Sequence, residues 1–332
     1  MSDWFNNLVG FEERGPDAVR RELAVSGSCL RSHRSGREFQ CGQLEIASLG
    51  ELRRRVAASE GVNSGRLQVT EVVGDVKALH QDATNAGALF QVASQFNLLE
   101  MVSPSVTPEQ GIAIYEDDPT QGPACAIACG AGTIYRNYFV ELEEQLGQSV
   151  DKQVDCLADV GKSLGNGNGQ LWKMQNGYAL PSAAGLREID RRLQSMSEAE
   201  LDSLRAKLKI GVQWNTQVTL GGCEHLVNQA YCSALPVAYS GQPTQLWERF
   251  ARLILEAAYE ATLAVAALNA SKSSNKTVYL TLLGGGAFGN DEAWILDAIR
   301  RAAKLYRNVD LNSKIVSFSR PNPSVRELCS SL

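Results

Sequence analysis

The chain has 332 residues, an ordinary hydrophobic content of 44% and a net charge of −5, with acids and bases scattered along it. That length allows one large α/β domain or two ordinary ones, and without a basic tract a nucleic-acid partner is not expected. The N-terminal residues lack a basic region followed by an apolar core, Glu256 and Glu260 interrupt the most apolar long segment, and eight cysteines without dense spacing suit reduced thiols; the sequence therefore predicts a cytoplasmic chain with no membrane partner.

In chain order, Trp4, Phe5, Leu8 and Phe11 fall at near-helical spacing, so residues 1–24 are predicted to dock as a helical segment. Residues 26–37 read as a basic, polar loop. Leu49, Leu52 and Val56 share one helical face, with Ser48 as the cap. Residues 69–73 read as a strand, followed by Gly74-Asp75-Val76, where an Asp in a turn is an equal reading of Asp75. His80 nearby is expected to be structural. Residues 82–88, including Asn85, are small and polar. Residues 91–100 carry Gln95 and Glu100, and the acid- and amide-rich run 116–121 begins with Glu116. The small apolar run 123–129 reads as a strand, placing Cys125 and Cys129 on one face. A zinc site would need two more ligands from Cys223, His225 or Cys232, and no metal is predicted. Beyond it, Tyr135 and Tyr138 could stack on a base or ribose and Arg136 could meet a phosphate, the alternative being a tyrosine-rich edge loop.

Residues 140–164 are helical by period, and 161–169 form a glycine-rich turn. Residues 186–208 read as one or two amphipathic helices with a capping box at Ser197 and Glu200. Residues 210–219 and 226–235 read as strands, and 246–267 as a long helix. The last third is the most informative. Residues 278–283 form an apolar run suited to a strand buried on both faces. Gly284, Gly285, Gly286, Ala287, Phe288, Gly289 and Asn290 then make a glycine-rich turn, and Asp291 caps a helix over 292–306. A strand over 314–319 follows. Free N–H groups at such a turn suit a phosphate. The spacing Gly284, Gly286, Gly289 formally matches a dinucleotide fingerprint, but only one strand follows it and Asp310 precedes that strand instead of ending it. No Gly-Lys-Ser/Thr closes it, so it is not a P-loop.

Gly284-Gly-Gly-Ala-Phe-Gly-Asn-Asp291, running into an apolar helix, resembles the diphosphate loop of macrodomains, and most nearly that of the poly(ADP-ribose) glycohydrolase branch. The resemblance implies a three-layer α/β fold, a mixed sheet flanked by helices, over a single domain 1–332, with 1–24 docked on it and 140–209 as a helical insertion. It implies ADP-ribose or an ADP-ribosylated protein as partner and no cofactor. The loop 284–290 would hold the diphosphate, Asp75 would read the adenine, and Asn85 the distal ribose. Tyr135 or Tyr138 would cover the site, with Arg136 beside them. Gln95 stands where the glycohydrolases carry their acid, and an amide cannot donate and recover a proton. Glu100 and Glu116 are the acids that could take its part. Two readings therefore stay open, a hydrolase of an ADP-ribose linkage and a binding or scaffold protein that has lost the chemistry.

Overall fold

The computed structural model describes residues 3–59, 65–273 and 275–332, so the segment expected over 1–24 is seen from Asp3 onward. The chain begins with α1 (Trp4–Val9), α2 (Pro16–Glu22), β1 (Leu23–Ser26), β2 (Cys29–Ser32), β3 (Glu38–Gln40), β4 (Gln43–Ser48) and α3 (Leu49–Ala58). Next come β5 (Gln68–Val73), α4 (Val76–Gln81), β6 (Leu89–Ala93), α5 (Gln121–Ala128) and α6 (Gly130–Tyr138). The middle holds β7 (Glu141–Leu142), β8 (Gln145–Leu146), α7 (Ala158–Ser163), β9 (Trp172–Gln175), β10 (Tyr178–Pro181), α8 (Ala183–Ser195) and α9 (Glu198–Arg205). The chain then runs through β11 (Lys209–Gln217), β12 (Leu226–Cys232), α10 (Glu248–Ala270), β13 (Thr277–Leu280), α11 (Glu292–Leu305), β14 (Asn312–Ser317) and α12 (Pro323–Ser330).

The central sheet has seven strands in the order β4-β11-β12-β6-β13-β14-β5. β11 is antiparallel to both its neighbours, and the strands from β12 to β5 are parallel. The fold is therefore α/β, a mixed sheet flanked by helices. The connection β5–α4–β6 runs across the sheet in one direction and β12–α10–β13 in the other. Right-handed crossovers in opposite directions put their helices on opposite faces. In accord with this, α3, α10 and α11 pack together, and α4, α5 and α6 pack together. α10 is long and apolar because it is buried in the core, with Glu260 taken up by Arg53 and Arg301. A second apolar cluster, built on Trp4, Phe5, Leu8 and Val9 of α1, joins the N-terminal segment to α5 and α6.

Where a local signal was strong, the elements match the sequence. Ser48 caps α3 and Ser197 caps α9, both through full capping boxes, and Asp291 caps α11. Three segments differ. Residues 26–37 contribute to a three-stranded sheet, not a loop, because Leu30 and Ser32 alternate inward and the Ser32 hydroxyl donates to Val9 O. Residues 140–164 form two very short strands and a single-turn-scale helix, with Glu143 and Gly147 at positive φ breaking the helical path. Residues 123–129 lie in α5 and its cap instead of a strand. Pro123 sits in the first helical turn, where its missing N–H costs nothing, and a short apolar run buried on all sides has no period to identify it.

Gly122 marks the closest approach of α5 to the end of β6: a Cβ there would stand 2.0 Å from Ala93 O. Gly122→Ala is therefore expected to lower the free energy of unfolding by ~1–3 kcal/mol. A urea melt with an unshifted midpoint would show that α5 is free to move away from the strand.

Candidate functional site

β6 and β13 are neighbours and parallel, but the chain leaves β6 toward α5 and leaves β13 toward α11. Such a divergence opens a crevice at the carboxyl ends of the strands, where open α/β sheets bind ligands. A cleft of about 220 Å³ lies there, lined by the exit of β6 (Ala93, Ser94, Gln95, Glu100), the start of α5 (Asp118, Thr120, Gln121, Gly122) and the turn after β13 (Thr281 to Gly284, Gly286 to Phe288). No Lys or Arg is in that lining.

The turn after β13 is held from behind. Gly284 adopts φ +75°, and a Cβ on it would meet Ala234 and the Asn290 amide, so only glycine fits. Asn290 donates from Nδ2 to Leu235 O at 2.8 Å and from its backbone to Gly284 O at 2.9 Å. The Tyr259 hydroxyl donates to Thr281 O and accepts from Leu283 N–H. With the base of the turn fixed, the N–H groups of Gly286, Ala287 and Phe288 have no partner among the described residues. These three residues line the cleft. Successive free backbone N–H groups make an anion-binding concavity.

The opposite wall is a tight turn after β6. Gln95 folds back on Met101, donating from Nε2 to its carbonyl and accepting its N–H, and Leu98 takes φ +66°. Gln121 reaches from α5 to accept Ala93 N–H and donate to Gln91 O. The rim is aromatic: Tyr178, Tyr239 and Phe288 contact one another with ring centroids 5.2–5.6 Å apart.

The structure brings together only part of the set predicted from sequence. Gly284, Gly286, Ala287, Phe288, Gln95 and Glu100 share the cleft, while Gly285, Gly289 and Asn290 shape its turn from outside the lining. Asp75 caps α4 by accepting Lys77 N–H. It does not line the second hollow, of about 700 Å³, although its neighbour Gly74 donates its N–H to Ser317 O at that hollow's edge. The two hollows share Thr281 and Leu282. Asn85 lies before β6, at the far end of that strand from the cleft, and is consumed by Leu79 O and the Tyr279 hydroxyl. Glu116 caps α1 through Trp4 N–H. Tyr138 is buried with its hydroxyl donating to Glu13, and Tyr135 is half-buried in apolar packing. Arg136 is fully buried, donating to Leu98 O and Thr133 Oγ1 and stacked over the Tyr231 ring, so it meets no phosphate. Tyr135, Arg136 and Tyr138 follow a run that reads as a strand but folds as a helix, and α6 turns Arg136 and Tyr138 into the core and leaves Tyr135 half-buried.

Three rim and wall residues carry a readable signal. Asn176-Gly177 is a two-residue hairpin turn, with both residues at positive φ, and it delivers Tyr178. Asp118 and Gln121 belong to the acid- and amide-rich run 116–121. Tyr239 had none.

Glu100 is the chemically unusual group. It is 2% exposed, and neither carboxyl oxygen has a hydrogen-bond partner among the described residues. Arg136 Nη2 stands 3.6 Å from Oε1, an ion-pair distance beyond a hydrogen bond. Burial pushes the carboxyl up to about 8, with Arg136 opposing the rise. At neutral pH Glu100 is mainly a protonated acid in the cleft wall. His80 differs: buried, stacked on Phe90 and bonded to Val76 O, it is pushed down to about 4 and stays neutral.

No family model matches the chain, and no curated protein matches it. Among solved structures, it is similar to poly(ADP-ribose) glycohydrolase from Deinococcus radiodurans in complex with ADP-ribose, at 14% identity and a TM-score of 0.43, over 86% of this chain and 90% of that one. It is also similar to the glycohydrolase from Thermomonospora curvata, at 11% identity and a TM-score of 0.41, over 95% of each chain. The Thermomonospora protein bound to the inhibitor ADP-HPD gives 12% identity and the same score and coverage.

A carboxyl whose folded-state pKa is raised contributes stability that is full below about 4.5, its ordinary value, and is lost as pH rises through about 8. Glu100→Gln removes that dependence. The stability of the variant relative to the parent is expected to rise by on the order of 1 kcal/mol per pH unit between pH 5 and 8. Parallel stability–pH curves for the two proteins would rule out the buried acid.

Proposed function

We propose that the chain binds an ADP-ribose-type ligand, free or attached to protein, with the diphosphate on the turn 284–288 and the distal ribose toward Glu100. The observation that carries this reading is the run of three N–H groups without a partner among the described residues, at Gly286, Ala287 and Phe288, in the wall of a cleft whose described lining has no side-chain cation. Successive free backbone N–H groups suit a diphosphate. A cleft of about 220 Å³ is smaller than the ~300–1,000 Å³ of sites that enclose a drug-sized ligand, so the ligand would extend beyond it. The adjoining hollow gives the direction: Phe318, 74% exposed, offers a face for a base.

The same reading accommodates hydrolysis. Glu100 borders the cleft with its carboxyl buried; once turned into the cleft, the protonated carboxyl can pass its proton to the leaving oxygen of a glycosidic bond while water adds to the anomeric carbon. Asp118, in the same lining, is a carboxylate available to take the proton that water gives up. One observation favours binding without turnover: Gln95, at the position where the resembled glycohydrolases have their acid, is locked onto Met101 as a brace.

Calorimetric titration with ADP-ribose, with AMP and NAD as controls, tests the binding. A Cβ at Gly286 meets nothing within 4 Å, so Gly286→Val is expected to fold normally and cover the free N–H groups. Its affinity for ADP-ribose should fall at least about tenfold, ~1.4 kcal/mol; unchanged affinity in the folded variant would remove the turn from the site. Glu100→Gln should still bind, and it should abolish release of ADP-ribose from modified protein if the chain is a hydrolase. Retained release would exclude Glu100 as the acid.

A further inference from the structure

Arg136 is a costly residue for a core. It is 0% exposed, and its one ion-pair partner among the described residues, Glu100, is 2% exposed. An apolar side chain of similar length would avoid the desolvation. Yet its orientation is fixed from three sides: Nε donates to Leu98 O at 3.1 Å, Nη2 donates to Thr133 Oγ1 at 3.1 Å, and the plane lies 3.6 Å from the Tyr231 ring centroid. Tyr231 is held in turn, its hydroxyl donating to Gln229, which bonds His80 and the Cys125 carbonyl. Leu98 belongs to the turn that carries Glu100. The cation thus grips the backbone of that turn and faces its carboxyl at 3.6 Å, leaving Nη1 and both carboxyl oxygens unpartnered.

From this geometry we infer that Arg136 is a positioning residue for Glu100, holding the turn that carries it and facing its carboxyl with a fixed positive charge. The inference rests on the reading of Glu100 as the acid of the cleft. The other titratable groups that face Glu100 are Tyr115, whose hydroxyl accepts the Glu100 N–H, together with Tyr231 and Cys125. Burial raises all three well above their ordinary values, so they are neutral. Arg136 is therefore the one charge among them that opposes the desolvation of Glu100.

The test begins with the unaltered protein. Carbon-detected NMR of labelled glutamate carboxyls gives the Glu100 midpoint, and the Arg136 Nε resonance is followed over the same pH range. The two should titrate together, and an Arg136 signal indifferent to the Glu100 transition would overturn the inference. Arg136→Met should then raise the Glu100 midpoint by one unit or more, and Arg136→Lys should bring it most of the way back. An unmoved midpoint in folded Arg136→Met would also overturn it. Neither readout depends on a ligand, so failure of ADP-ribose to bind would remove the proposed function without deciding this coupling.

Discussion

The site depends on one topological constraint, the opposite departures of two adjacent parallel strands. β6 hands the chain to α5 and β13 hands it to α11, and the helices belong to different faces of the sheet. The backbone cannot fill the gap between them. Each strand end must instead be closed by a turn of its own, and both turns are built to unusual tolerances. Gly122 admits α5 to within contact of Ala93 O, and Gly284 admits the turn after β13 to within contact of Ala234. A methyl group at either place would push a wall of the crevice outward.

The N-terminal segment contributes to the same end from a distance. Glu13 accepts the N–H groups of Ile112 and Ala113 and the Tyr138 hydroxyl, and Trp4 bonds Ile112 O and Glu116. Those contacts anchor the stretch that continues into Asp118, Thr120 and Gln121 of the cleft. Side chains that never see the crevice thereby decide where its third wall stands.

The parts of this architecture that were legible in the sequence are those determined within a few residues. Asp291 capping α11, the capping boxes at Ser48 and Ser197, and the glycine turn at 284–289 are local chemistry, and each appears where the sequence puts it. What could not be read was burial. Tyr138, Arg136 and Asn85 have the functional groups of ligand contacts, and only the packing of α6 and the far end of β6 shows that these groups are used internally. The run 123–129 failed for a related reason, since a segment enclosed on every side has no polar face to reveal its period. Glu100 lay between these cases. Its sequence position made it a candidate, but the property that distinguishes it from Glu116, a carboxyl sealed from water, belongs to the tertiary structure.

The lining of the cleft has no lysine or arginine. Fixed peptide dipoles act over a few ångströms and are not neutralised by a mobile ionic atmosphere as exposed charges are. An anion held on the turn gains no electrostatic steering from the cleft lining itself, and the cation beside its path is Arg320 of the adjoining hollow. The share of affinity contributed by the turn would change little between dilute buffer and concentrated salt, and the salt dependence would come from contact with Arg320.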